Sequence, residues 1–349
     1  MNRNYMFSLV VVFILFLIPY AGVGAIGLQP LFGIVLPYLA VIFFIGGFIY
    51  RIVDWARSPV PFAIPTTCGQ QKSLSWIKQN GVDNPSTKGG VVLRMFLEIV
   101  LFRSLFRNTR YSRREGDKPF YALEIWLWLG AIVFHWSFAT VLFRHLRFFM
   151  EPVPFVVKAL EKVDGFMQVG LPIVYMSGAG LAAAVLFLLI RRILWPKIRY
   201  ISLASDYFPL FLIFGIAFTG LLMRYFTKVD VVRAKELAYG LVTFHPTIPE
   251  GIGVIFYIHL FFVSVLLMYF PFSKLMHMGG IFMSPTRNMT TNTREVRHIN
   301  PWNYPVPVHT YEEYEDEFRE KMVDVGLPVD KEPEPPEQDT EAESSEEKE

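Results

Sequence analysis

The chain has 349 residues, 53% of them apolar and 16% aromatic, and only 18% are charged. Soluble domains carry about a quarter charged residues, so this composition excludes an ordinary soluble protein and points to a polytopic membrane protein, with lipid as its solvent and nothing that calls for nucleic acid. The net charge of +2 hides a split, because residues 312–349 hold 17 acids and 4 bases (−13) and the remainder is +15.

Six apolar stretches are long enough to cross a hydrocarbon core of about 30 Å. They lie at about 6–26, 29–50, 121–143, 167–190, 204–226 and 252–273. "MNRN" and "AGVGA" would suit a signal peptide, but the apolar run between them is long for one. A retained anchor is expected. "GVGAIGLQP" then turns the chain between two antiparallel spans.

Residues 51–120 form a loop with 12 bases. Within it, "GGVVLRMFLEIVLFRSLFRNTRYSRR" places Arg94, Glu98, Arg103 and Arg107 at helical spacing beside an apolar run. This predicts a helix lying on the membrane face, or a docking face for a partner. The only cysteine, Cys68, lies in this loop. No disulfide or iron–sulfur cluster can therefore be built within the chain.

The turn "RRILWPKIRY" holds four bases in ten residues, while loops 146–166 and 227–251 hold three each, balanced by acids. The Lys/Arg bias puts the 51–120 loop, the 191–200 turn and both termini in the cytoplasm of a cell (inner) membrane protein. From about Pro328 the chain is acidic, Pro-rich and poor in aromatics, which predicts disorder.

Four of the seven histidines lie in or at the end of spans: His135 and His145 on the third, His259 and His277 on the sixth. A single histidine there is ordinarily a helix–helix hydrogen-bonding residue. Two pairs on two antiparallel spans are not. Depth pairs His135 with His277 near the cytoplasm and His145 with His259 near the outside. Ten residues rise about 15 Å and eighteen about 27 Å, so two sites would be stacked across the membrane. Eighteen residues is five whole turns, and Pro271 can bend the helix to help the fit.

Zinc would want three or four protein ligands. A six-coordinate haem iron needs two axial ligands and can sit between helices. Two histidines per site, twice, is the stoichiometry of a di-haem b cytochrome. With no open iron position, it would transfer electrons rather than activate oxygen. Arg147, Arg191, Arg192 and Lys274, with Arg144, lie near the depths where haem propionates need cations.

"VTFHPTIPEGIGVIFYIHLFFVSVLLMYFPFSKLMH" resembles the last span of the gamma subunit of respiratory nitrate reductase. The ten-residue spacing of His135 and His145 and the "RRILWPKIR" turn followed by Asp206 are also similar. The resemblance covers roughly residues 120–285. The first 120 residues look more like the M subunit of the Dsr membrane complex, a cytochrome b of dissimilatory sulfur metabolism related to the membrane subunit of methanogen heterodisulfide reductase.

The resemblance implies a di-haem helical bundle of the gamma-subunit type that binds two haem b and oxidises menaquinol at the outer haem. Electrons would pass inward to a cytoplasmic iron–sulfur subunit of the heterodisulfide-reductase kind, with further membrane and periplasmic cytochrome c or iron–sulfur subunits. Arg144, Lys162 and His245 are quinol-site candidates. The chain would then be an electron-transfer subunit of a membrane oxidoreductase. Two other readings stay open: a histidine-relay proton channel or transporter, and a passive anchor with structural haem. The domain division expected is 1–50 (two spans), 51–120 (loop), 121–285 (di-haem bundle) and 286–349 (tail).

Overall fold

The computed structural model describes residues 3–58, 60, 62–64, 69–113, 119–165, 173–296 and 307–331. Cys68, His298, residues 166–172 of the expected fourth span and the tail beyond 331 lie outside the described residues. The chain divides into Met1–His298 and Ile299–Glu349.

Among the described residues, the first unit has six helices long and apolar enough to span a membrane. In lipid every backbone polar group must be satisfied within the segment, which leaves the helix as the only form such runs can take. α1 is Asn4–Gly24. A π-helical turn, Leu31–Val35, leads into α2, Leu36–Ala56, with Pro37 in its first turn where no N–H is needed. α3 (Lys88–Leu101), α4 (Arg103–Phe106) and a hairpin of β1 (Thr109–Arg113) and β2 (Pro119–Leu123) fill the long loop. α5 is Ile125–Phe149 and is followed by the short α6, Phe155–Asp164. α7 (Met176–Leu194), α8 (Pro196–Ile201) and α9 (Ala204–Leu221) come next, and α9 continues through a π-helical turn, Leu222–Phe226. α10 (Val231–Val242) starts at Asp230, whose carboxylate accepts the N–H groups of Val232 and Arg233. α11 is Val254–Tyr269, and α12 is His277–Met283.

α5 packs on α7 and α10, while α11 packs on α1, α2 and α9. The two histidine-bearing helices therefore belong to opposite sides of the bundle. The α5–α7 contact is made close by small residues: a Cβ on Gly130 would lie 2.7 Å from the Phe187 ring, and one on Gly180 would lie 2.8 Å from Ser137 Oγ. Val12, Leu181, Val185, Leu212, Ile213, Ile258, Phe262 and Leu266 form the buried core between α1, α7, α9 and α11. Of α5 only Gly130 and Ala131 are buried.

The long loop is folded differently from its expected single amphipathic helix. The helix breaks at Phe102, and the chain then forms α4 and the hairpin. Arg94 and Glu98 are buried rather than facing water. Arg94 Nη1 donates to the Thr286 carbonyl at 2.7 Å, and Glu98 accepts from Ser104 N at 3.1 Å. The exposed face of α3 is instead apolar, with Val92, Leu93 and Phe96. Beyond the break, Arg103 and Arg107 both turn to the buried Asp83.

In the second unit, Thr310 caps α13, Tyr311–Asp324, in a reciprocal capping box with Glu313. The Glu315 carboxylate accepts the backbone N–H groups of Asp330 and Lys331, both at 2.8 Å. Those bonds hold its carboxyl below the usual range, with the Arg319 guanidinium adding to them.

Burial pushes the Asp83 carboxyl up, but hydrogen bonds from Arg103 and Asn80 and the charges of Arg103 and Arg107 outweigh it and hold it below the usual aspartate range. A depressed native value contributes stability above the unfolded pKa that is lost as pH falls through the native one. Amide protection of residues 80–107 should therefore be constant from pH 8 to 5 and fall only below about pH 4. Asp83→Asn should lower that protection at neutral pH by about 1–3 kcal/mol, read by hydrogen exchange.

Candidate metal centres

The four intramembrane histidines meet in two pairs. His135 of α5 and His277 at the start of α12 have ring centroids 5.9 Å apart, with planes at 83°. His145 of α5 and His259 of α11 are 6.5 Å apart, with planes at 15°. No other described part of the molecule gathers ligating groups, and no cluster of three or more His, Cys, Asp or Glu that could hold a metal ion occurs among the described residues.

Each ring has one nitrogen already committed. Nδ1 of His135 lies 2.8 Å from the Ala131 carbonyl, that of His145 2.7 Å from Val141, and that of His277 2.8 Å from Lys274. A carbonyl oxygen only accepts, so each Nδ1 carries the proton. His259 reaches the same state through Thr219. The Thr219 hydroxyl donates to the Gly215 carbonyl at 2.7 Å, which leaves its oxygen to accept from His259 Nδ1 at 2.9 Å. All four imidazoles are therefore set to offer an Nε2 lone pair, the arrangement by which proteins orient metal-bound histidine.

The ring spacing tests what could lie between them. Two trans metal–imidazole bonds of about 2 Å, plus about 1 Å from each Nε2 to its ring centre, put the centroids about 6 Å apart. Both observed spacings fit that span. The donor set, two neutral nitrogens per site, fits the two axial positions of a haem.

The His135–His277 pair depends on a break that the spacing does not forecast. α11 ends at Tyr269 and continues as a 3-10 turn, Phe270–Phe272. Pro271 carries no N–H to continue the helix, and Ser273 caps the next turn by accepting from Leu275 N. His277 therefore stands on a separate helix, and the count of five whole turns does not describe it. α2 makes room for the break at Gly47, where a Cβ would lie 2.8 Å from Pro271 Cβ.

The expected cations are all near the spans, and those four beside the histidine helices are already paired. Arg191 meets Glu124 at 3.0 Å, and Arg110 approaches the same carboxylate at 3.8 Å. Asp206 is shared by Lys274 at 2.6 Å and Arg192 at 3.8 Å. Arg147 pairs with Glu161 at 2.8 Å.

Arg144, next to His145, belongs to a more elaborate cluster. Its Nη1 donates to the buried Asp164 at 2.7 Å, and that carboxylate also accepts Ser177 N at 2.7 Å and Ser177 Oγ at 2.5 Å. The guanidinium lies 3.2 Å from the Tyr175 ring centre, with Arg224 at 4.2 Å from that ring. Lys162 is exposed in the last turn of α6. His245 is exposed after α10, its Nδ1 donating to the Thr243 carbonyl at 2.7 Å. The structure thus brings Arg144 into a built cluster and leaves Lys162 and His245 at the surface. Sequence reasoning did not single out Thr219, Asp164, Ser177, Tyr175 or Arg224. A hydroxyl and an arginine in the apolar fifth span were the available signals for Thr219 and Arg224.

A model of the family described as nitrate reductase gamma subunit matches residues 95–298. The chain is 48% identical over 280 residues to a protein of Archaeoglobus fulgidus named "Hdr-like menaquinol oxidoreductase cytochrome b-like subunit", covering 78% of this chain and 83% of that one. A protein of the same name from Archaeoglobus profundus is 46% identical over 275 residues, covering 77% and 81%.

Two substitutions separate the pairs. Thr219→Val should leave His259 Nδ1 without an acceptor and weaken metal binding at the His145–His259 pair about 10–100-fold, while Thr219→Ser should not. Gly47→Ala overpacks Pro271, at about 1–3 kcal/mol, and should lower occupancy of the His135–His277 pair alone. Haem stoichiometry of the purified variants, by pyridine haemochrome, reads both.

Proposed function

This chain belongs to the nitrate reductase gamma subunit family of membrane cytochromes b, and from that premise we propose that it is a di-haem quinol-oxidising subunit of a respiratory complex. The observation that carries the reading is the pair of imidazole pairs, each at axial-ligand spacing with Nδ1 protonated and held. His135 and His277 would hold the inner haem, and His145 and His259 the outer one. Haem held by these residues would supply one-electron redox chemistry.

The chain's own residues do the rest. The Ala131, Val141 and Lys274 carbonyls and the Thr219 hydroxyl fix the ligand tautomers. Arg191, Arg192, Lys274 and Arg147 offer cations to propionates. The substrate is menaquinol, in keeping with the name of the two relatives. It would meet the protein beside His145, where Arg144 presents a guanidinium held by Asp164; Lys162 and His245 are the further candidates, each exposed at the surface. The Lys/Arg bias of the loops would put the His277 end in the cytoplasm. Electrons would leave there for an iron–sulfur subunit of the heterodisulfide-reductase kind, in a complex of dissimilatory sulfur metabolism with further cytochrome c or iron–sulfur subunits.

Stopped-flow haem reduction by a menaquinol analogue tests the assignment. Replacing His145 with alanine should remove one haem and abolish reduction. Replacing His277 with alanine should remove the other haem, leave the outer one reducible and stop transfer to the cytoplasmic partner. The reverse pattern would put the quinol site on the cytoplasmic side and overturn the orientation. Absence of haem from the purified wild-type protein would overturn the reading as a whole.

A further inference from the structure

The two histidine pairs differ in the angle between their rings, 83° at the inner pair and 15° at the outer. The inner angle has a visible support. α3 ends at Leu101, and Phe102 adopts the left-handed conformation, φ 50° and ψ 47°. That conformation is unfavourable for an L side chain and is normally left to glycine. Strain of this kind persists only where the surroundings enforce it, and it clusters at functional sites. Its consequence here is that the Phe102 ring meets His135 edge-on, with centroids 4.9 Å apart and planes at 74°.

The end of α3 is tied to α5 on both sides of that contact. The Trp136 indole N–H donates to the Val100 carbonyl at 3.1 Å, and that of Trp128 donates to the Leu101 carbonyl at 2.8 Å. These carbonyls are among those a helix end leaves open. Trp136 follows His135 directly, and Trp128 lies two turns before it. Phe106 of α4 packs on Trp128 at 5.1 Å. The base of α3 is held in turn by the buried Arg94 and Glu98. Each histidine of α5 is also flanked by a phenylalanine of its own helix, His135 by Phe134 at 4.9 Å with planes at 85° and His145 by Phe148 at 5.7 Å, so the Phe102 ring is the contact that reaches His135 from the long loop.

We propose that Phe102 is a positioning residue that holds the His135 ring at right angles to His277, so that the two centres carry unlike axial-ligand geometries. This rests on the haem reading. In a low-spin ferric haem, axial imidazoles with parallel planes split the iron's two π-type d orbitals and give an ordinary rhombic EPR signal. Crossed planes leave those orbitals nearly degenerate and give a highly anisotropic signal with a large gmax. Axial ligation is one of the levers by which a protein sets a haem's electronic properties. The ring of Phe102 therefore couples the long basic loop to the electronic state of the inner centre.

The test is EPR spectroscopy with potentiometric titration on the full-length oxidised protein, after haem content has been measured. Wild type should show two low-spin signals, one of large gmax and one rhombic. Phe102→Gly removes the ring and also the backbone cost. It should keep two haems, move the large-gmax signal towards the rhombic form, shift the potential of that haem alone and leave the other signal unchanged. Phe102→Tyr should restore the wild-type spectrum. Two similar signals in wild type, or a Phe102→Gly spectrum identical to wild type, would overturn the proposal. Loss of the inner haem from Phe102→Gly would also overturn it, replacing an orienting role with a purely structural one. A wild-type protein with no haem would instead remove the underlying reading, an outcome the prior haem assay separates from the others.

Discussion

Two histidines ten residues apart on one helix cannot face two that are eighteen apart on a straight neighbour. The first separation rises about 15 Å along the helix axis and the second about 27 Å. Yet both pairs of rings lie close to 6 Å apart. The excess length has to be spent sideways, and this is what the chain does after Tyr269. Pro271 ends the α-helical bonding, a 3-10 turn follows, and His277 begins a new helix with its ring against His135 of α5. Gly47 gives Pro271 its space, and Arg51 Nε lies 3.4 Å from the Pro271 carbonyl that the break leaves open. The Lys274 carbonyl accepts both the backbone N–H and Nδ1–H of His277.

The bundle is organised around the resulting separation. α5 is bound to α7 by glycine-mediated contact, and α11 is bound to α1, α2 and α9 by a dense apolar core. Across the middle, Phe134, Phe138 and Val141 of α5 pack against the core that includes Ile258, Phe262 and Leu266 of α11, and the two imidazole pairs lie along the same seam. The packing on either side holds the two helices, and the Nδ1 hydrogen bonds keep the rings aimed.

Much of this was legible in the chain and some was not, for physical reasons. The six spans stand out because lipid admits only long apolar helices, so length and hydropathy suffice. The histidine pairing follows from depth alone, since the antiparallel course of the third and sixth spans fixes which ring can meet which. Local backbone events were less accessible. The break at Pro271 was flagged by its proline, but its direction depends on Gly47, which is more than 200 residues away in the chain. Phe102 carries no turn signature, since a phenylalanine in the left-handed region defies propensity and is imposed by tertiary contacts. Arg94 and Glu98 have the spacing of a solvated stripe, but their partners, Thr286, Ser104 and Arg287, turn that stripe inward. Asp164 is one acid in a loop by sequence and the hub of three hydrogen bonds in the fold.

The charges at the two ends complete the physical picture. Cations near a membrane core are costly unless paired, and the carboxylates available are few. Glu124 serves Arg191 and Arg110, while Asp206 serves Lys274 and Arg192. Each cluster has two cations on one carboxylate and so keeps one positive charge. Next to His145, Asp164 is bonded to Arg144, and Arg224 also lies against the shared Tyr175 ring, which again leaves one positive charge. Full neutralisation would have needed only one more acid in each cluster. Under the proposed reading the deficit is functional: haem brings its own carboxylates. The cations of these clusters are available to such carboxylates without standing unpaired in the hydrocarbon. The residual charge beside His145 would favour an electron-rich quinol oxygen, while the Asp164 bonds to Ser177 and Arg144 keep the guanidinium from swinging away.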